Sequence, residues 1–258
     1  MKTDMSLEQA ARLALQCLDL TSLNDGDTAA TVDALCRRAV GPEGRGPVAA
    51  VCVWPRFVAQ ARAALPAGIH VAAVANFPDG SLDLDRVLRE VGEIFGAGAQ
   101  EVDVVLPYRA LIEGRHSEVA EFLSEVRHAT RPLTLKVIIE SGELTSSELI
   151  ADATRLALMA GADFVKTSTG KTKVSATLAA ATVMLHEIQA SGLGNAGFKA
   201  SGGIRSVVDA RAYLQLAAQA LGVEALQARR LRFGASGLLD DIEAVLAGQA
   251  SQAVNSVY

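Results

Sequence analysis

Three short β-rich stretches each carry one side chain that could act on a carbonyl. Lys166 lies in "ADFVKTSTGK", Lys199 in "GFKASGG" and Asp103 in "EVDVV". Their neighbours are largely apolar, and an isolated charge in such a setting costs free energy unless it is paired, neutral or in use. A lysine buried beside a second cation holds its proton less firmly. The free amine can form a Schiff base, which the ammonium form cannot. One lysine would attack, the other would keep it partly neutral, and Asp103 would move protons. Asp19, in "CLDLT", has a comparable place. Each lysine alone reads more readily as a solvated or acid-paired strand end. Two of them and an aspartate at matching depth on separate strands make a set. Lys136 and Glu140, in "TLKVIIE", read as structural.

Two further stretches end in small residues and run into helix patterns: "ASGGIRS" (200–206) and "GASGLLDD" (234–241). Glycines let backbone N–H groups approach an anion, and a helix N-terminus adds a favourable dipole. Together they favour a phosphate site over two ordinary turns, with Arg205 either an added charge or a surface residue. The run "STGKT" ends like a nucleotide-binding loop, but Val165 stands where that loop needs its first glycine, so nucleotide binding is rejected. His70, His116, His128 and His186 are scattered without metal-ligand spacing, and no Ser-His-Asp set is evident.

These side chains need a scaffold that brings strand ends together. Strand patterns occur at 48–54, 70–77, 101–107, 134–140, 163–169, 197–203 and 232–237, apolar on both faces as buried parallel strands are. Residues 16–21 supply an eighth. Helix patterns lie between them, at 27–39, 83–97, 146–160 and 174–191 among others. In 83–97, Leu84, Val87, Leu88, Val91, Ile94 and Phe95 fall on one face. The order predicts a TIM (β/α)8 barrel with an additional N-terminal helix, with a doubly wound open sheet as the alternative. Residues 40–47 read as a surface loop. A single domain over 1–258 is expected, with a flexible tail from about 248.

Composition narrows the class. Half of the 258 residues are apolar, enough for one large core. The net charge of -5 and pI near 5.4 argue against a nucleic-acid groove. Three cysteines, Cys17, Cys36 and Cys52, have no framework spacing, which suits a reducing compartment. Neither a signal peptide nor a membrane span is evident, so the expected location is the cytoplasm.

The motifs "EVDVVLPYRAL", "LKVIIESGEL", "GADFVKTSTGK", "GFKASGGIR" and "RFGASGLL", with "LDLTSLN", "CVWPRF" and "VANFPDG", closely resemble the deoxyribose-phosphate aldolase family, in order and over nearly the whole chain. The resemblance implies a class I aldolase without metal or organic cofactor, acting on a sugar phosphate and small aldehydes, and a homodimer. It implies reversible cleavage of 2-deoxy-D-ribose 5-phosphate to D-glyceraldehyde 3-phosphate and acetaldehyde. Lys166 then matches the Schiff-base lysine, Lys199 the pKa-lowering lysine, Asp103 the proton-transfer aspartate and Asp19 a second active-site aspartate. Thr169 and Lys171 match substrate-side positions. Gly202, Gly203, Gly234, Ser236 and Gly237 fall on the phosphate turns. Gly237 stands where some members carry a second serine, and "KASGG" replaces the "KPAGG" of some relatives. Tyr258 matches a C-terminal tyrosine that can reach the site, though a tail without a role fits equally. The expected course is attack on C1, an iminium, and rupture of the C3–C4 bond, with Asp103 relaying protons through water. Three alternatives stay open: another Schiff-base or transaldolase-like aldolase, a non-catalytic sugar-phosphate-binding barrel, and a metal-dependent aldolase or isomerase.

Overall fold

The computed structural model describes residues 5–252. Along them run β1 (Leu18–Thr21), β2 (Ala50–Val53), β3 (His70–Ala75), β4 (Glu101–Val105), β5 (Thr134–Ile138), β6 (Phe164–Lys166), β7 (Gly197–Ser201) and β8 (Leu231–Ala235). Each pairs in parallel with its sequence neighbours, and β1 also pairs with β8, which closes the barrel. That closure excludes the open sheet.

Helix α1 (Leu7–Gln16) precedes the barrel. The outer layer is α2 (Ala29–Val40), α3 (Val58–Ala64), α4 (Leu84–Gly96), α5 (Tyr108–Ile112), α6 (His116–Ala129), α7 (Ser147–Met159), α8 (Leu178–Ala190), α9 (Val207–Leu221) and α10 (Leu238–Leu246). α1 packs beside α9 and α10. Side chains satisfy the free N–H groups at many helix starts: Ser6, Thr28, Asp83, Ser146, Thr177 and Ser206 each accept from the residue three ahead. One apolar cluster joins the outer faces of the strands to the helices.

The strands are shorter than their patterns. β7 stops at Ser201 because Gly202 and Gly203 turn the chain at φ of 87° and 82°. β6 keeps only three of the seven expected residues. The helix expected from 174 starts at Leu178, after the Thr177 cap. In α4, Val87, Val91 and Ile94 form the buried stripe, while Phe95 lies one step round and is exposed.

Candidate active site

A barrel of this kind is ordinarily filled with branched apolar side chains. Here, among the described residues, seven charged ones occupy the interior: Asp19, Glu101, Asp103, Lys136, Lys166, Lys199 and Arg232, all buried. Strand periodicity explains how. Glu101 and Asp103 are two apart on β4 and face inward together, as do Phe164 and Lys166 on β6. Lys166 and Lys199 are direct register partners on neighbouring strands.

Asp103 is the hub. Its Oδ2 accepts from Lys166 Nζ at 2.8 Å and from Lys199 Nζ at 2.7 Å. The two amines share one oxygen, so their separation cannot exceed the sum of those distances. Oδ1 accepts from Lys136 Nζ at 2.8 Å. Lys199 also donates to Asp19 Oδ2 at 2.5 Å. Arg232 donates to Asp19 Oδ1 and Glu101 Oε1, at 2.5 and 2.7 Å. Lys136 reaches Glu101 as well, at 2.5 Å.

The lysines therefore differ in protonation. Burial is the largest influence on Lys166 and pushes it toward the neutral amine; Asp103 opposes this, Lys199 adds to it, and the net direction is down. Lys199 is equally buried, but Asp103 and Asp19 outweigh burial and hold its proton above the usual lysine range. Lys136 is held above it in the same way by Asp103, Glu101 and Asp19. Burial alone would push Asp103 up; the ammonium groups of Lys136, Lys166 and Lys199 outweigh it and keep the carboxylate well below its ordinary value.

Above this cluster opens a cavity of about 620 Å³. Thr169, Lys171, Gly202, Gly203, Gly234, Ser236 and Gly237 line it, as does Arg205. Lys166 and Lys199 lie on β6 and β7, whose following loops line it, and Lys166 is only 2% exposed. Lys171 Nζ donates to the Leu23 carbonyl at 2.7 Å, bridging the β6 and β1 loops. Thr169 is fixed from the loop that follows β5: Glu140 Oε1 accepts from its N–H at 3.2 Å and Oε2 from its hydroxyl at 2.5 Å. Glu140 does so from a left-handed backbone at φ 50°. At the far rim, the buried Asp241 carboxylate accepts from Val207 N, Ser251 Oγ and Gln252 N.

Residues 13–243 match the sequence pattern of the DeoC/LacD family aldolases. A protein from Agrobacterium fabrum named deoxyribose-phosphate aldolase is 48% identical over 243 residues, 93% of each chain. The chain belongs to the DeoC/LacD aldolase family. Among solved structures, a Toxoplasma gondii protein provisionally assigned as a deoxyribose-phosphate aldolase superimposes on this DeoC/LacD aldolase with a TM-score of 0.85, at 26% identity over 96% of this chain and 99% of its own. A deoxyribose phosphate aldolase from Aeropyrum pernix, described as a unique tetramer, gives 0.69 at 26% identity over 93% and 92%.

The sequence-level candidates in the aldolase thus fall into two groups. Asp19, Asp103, Lys166 and Lys199 meet in the barrel, and the loop candidates surround the cavity. Tyr258 lies outside the described residues. Glu101 and Arg232 were missed, and Lys136 was set aside although it bonds directly to Asp103. Their signal was parity: Glu101 precedes Asp103 by two, and Arg232 precedes Gly234 by two, so each pair shares a face. Gly234 also proves to be more than a turn residue. A Cβ there would sit 2.5 Å from Ser201 Oγ and 3.0 Å from Lys199 Cε.

Proposed function

We propose that the chain is a Schiff-base aldolase that reversibly cleaves 2-deoxy-D-ribose 5-phosphate to D-glyceraldehyde 3-phosphate and acetaldehyde. The observation that carries this is the shared Asp103 oxygen: it sets two buried lysines side by side, with only Lys166 driven toward the neutral form.

Lys166 attacks C1 of the open-chain sugar, and loss of water gives an iminium. Carbon balance corrects the bond expected from the sequence. A two-carbon aldehyde from C1 and C2 requires scission of C2–C3, whereas C3–C4 scission would leave a three-carbon aldehyde and a two-carbon phosphate. The C3 hydroxyl therefore gives up its proton, and the C2–C3 electron pair moves into the iminium to form an enamine. Protonation at C2 and hydrolysis release acetaldehyde and restore the amine. Asp103 carries two lysines that keep their charge, Lys136 and Lys199, and is a weak base; it relays the C3 proton through water, and Lys199, which stays charged, is the acid beside it. The phosphate rests on the turns at 202–203 and 234–237, and its binding energy orients the reacting carbons.

No metal or organic cofactor takes part in this scheme, so activity survives EDTA; loss of activity would favour the metal-dependent alternative. The assembly is a homodimer in this reading, and sedimentation reads it against the tetramer described for the Aeropyrum pernix relative. Borohydride with substrate traps an adduct on Lys166, and a coupled assay detects glyceraldehyde 3-phosphate. An adduct confined to another lysine would refute the assignment. Substrate-induced stabilisation without turnover would point to a sugar-phosphate binder.

A further inference from the structure

The interior cluster holds four basic side chains, Lys136, Lys166, Lys199 and Arg232, and three acidic ones, Asp19, Glu101 and Asp103. Fully charged, it carries one positive charge in excess. An uncompensated charge in a dry interior is costly, and loss of one proton removes it. The contacts decide which base gives it up. Arg232 keeps its proton by its chemistry. Lys136 lies within 3.6 Å of three carboxylates, at 2.5, 2.8 and 3.6 Å. Lys199 meets two. Among the described residues, Lys166 meets only Asp103, through the oxygen that Lys199 also occupies.

We propose that Arg232 and Glu101, at the floor of the barrel, are positioning residues that set this charge balance and thereby make Lys166 the neutral amine. The inference rests on the reading of Lys166 as the Schiff-base lysine. Arg232 provides the permanent cation that makes the excess. It bonds Asp19 Oδ1 and both oxygens of Glu101, which leaves less carboxylate for the lysines above. Glu101 works in the opposite sense, since it holds Lys136 and Arg232 in their charged forms. Glu101 opens β4 and Arg232 is the second residue of β8, whereas Lys166 ends β6, so both lie further from the cavity-lining loops than the nucleophile does.

Other titratable groups near Lys166 are accounted for. Asp103 faces it from β4, Lys199 from β7, and Lys136 lies on β5 beside it. The Cys52 thiol, from β2, is pushed up to about 11 by burial and stays neutral. Glu140, beyond the end of β5, faces Lys166 at longer range without an ion pair to any of the four bases among the described residues; burial pushes its carboxyl up, against the Thr169 and Thr172 hydrogen bonds and the Lys166 charge. Its effect is common to every variant below. His70 Nδ1 meets Glu101 at 2.7 Å, so His70→Gln is run in parallel to separate the effect of that contact.

The test uses the full chain with acetaldehyde and cyanoborohydride, a probe without phosphate. The rate of adduct formation on the Lys166 peptide is followed by mass analysis across pH. Arg232→Met removes the excess charge, and its midpoint moves up by about one pH unit or more. Glu101→Gln enlarges the excess, and its midpoint moves down by a similar amount. The double variant restores the balance and returns toward the parent, and Arg232→Lys stays with the parent. If the single variants do not fold, the pair Glu101→Gln/Arg232→Lys and Glu101→Gln/Arg232→Met is compared, and the first must have the lower midpoint. Shifts in the same direction, or a double variant that fails to return, overturn the proposal. A parent enzyme with no Lys166 adduct at any pH instead overturns the Schiff-base reading on which it rests.

Discussion

Replacing Gly234 by alanine separates two roles for one glycine. Its backbone lies outside the left-handed region, so an alanine adds no φ strain there. The new methyl would lie 2.5 Å from Ser201 Oγ and 3.0 Å from Lys199 Cε, and both must move. Overpacking of this kind costs about 1–3 kcal/mol, which at this chain length lowers Tm by about 2–4 °C per kcal/mol. The larger consequence is chemical. Lys199 holds Asp19 and Asp103 at 2.5 and 2.7 Å, and pushing it aside frees the oxygen it shares with Lys166. A displacement of about 1 Å in such a site costs on the order of 100-fold in rate. The assay is trapping of acetaldehyde on Lys166, alongside kcat and KM for deoxyribose 5-phosphate. Clearance for Lys199 predicts slower trapping and a lower kcat even though acetaldehyde has no phosphate. A variant with raised KM alone and normal trapping would show that Gly234 serves only the phosphate turn, and the steric reasoning would fall.

Three further outcomes are expected. Lys199→Leu removes a charge roughly 5 Å from Lys166, worth about 3 kcal/mol at an effective dielectric near 20, so the acid limb of kcat/KM moves up by about two units and neutral-pH activity drops on the order of 100-fold; near-normal turnover would dispose of the electrostatic argument. Asp19, Glu101 and Asp103 are held below their ordinary values, so their stabilisation is complete above about pH 5 and is lost as pH falls through the folded-state values. A urea midpoint that stays flat from pH 6 to 3 would contradict this. Glu140→Ala strands the Thr169 N–H and hydroxyl, costs about 1–3 kcal/mol of stability and raises KM; unchanged kinetics would mean that the β6 loop holds its own shape.

The catalytic candidates were legible because each breaks into an apolar run with a residue that has no business in a core. Lys166, Lys199, Asp103 and Asp19 stand out in that way. Glu101 and Arg232 did not, since a charge at the start of a strand resembles one meeting solvent. Parity placed them on the faces of Asp103 and Gly234, but only closure of the barrel, which brings β4 and β8 across from each other, reveals that the two meet inside it. Lys136 was passed over for a related reason. Its strand reads as structural when taken alone, and its importance lies in Asp103 on the next strand. Phe95 shows the converse limit: an apolar residue adjoining a stripe need not belong to it.

The brevity of β6 bears on how such chemistry can be moved between scaffolds. Past Lys166 the segment is steadied sideways, by an acid just past the end of the adjoining strand that adopts an unusual backbone to reach it. Grafting "VKTSTGK" onto a foreign barrel would transfer the nucleophile without its brace. The smallest portable piece is a pair of strands, and a designer who copies one of them inherits a loop that wanders.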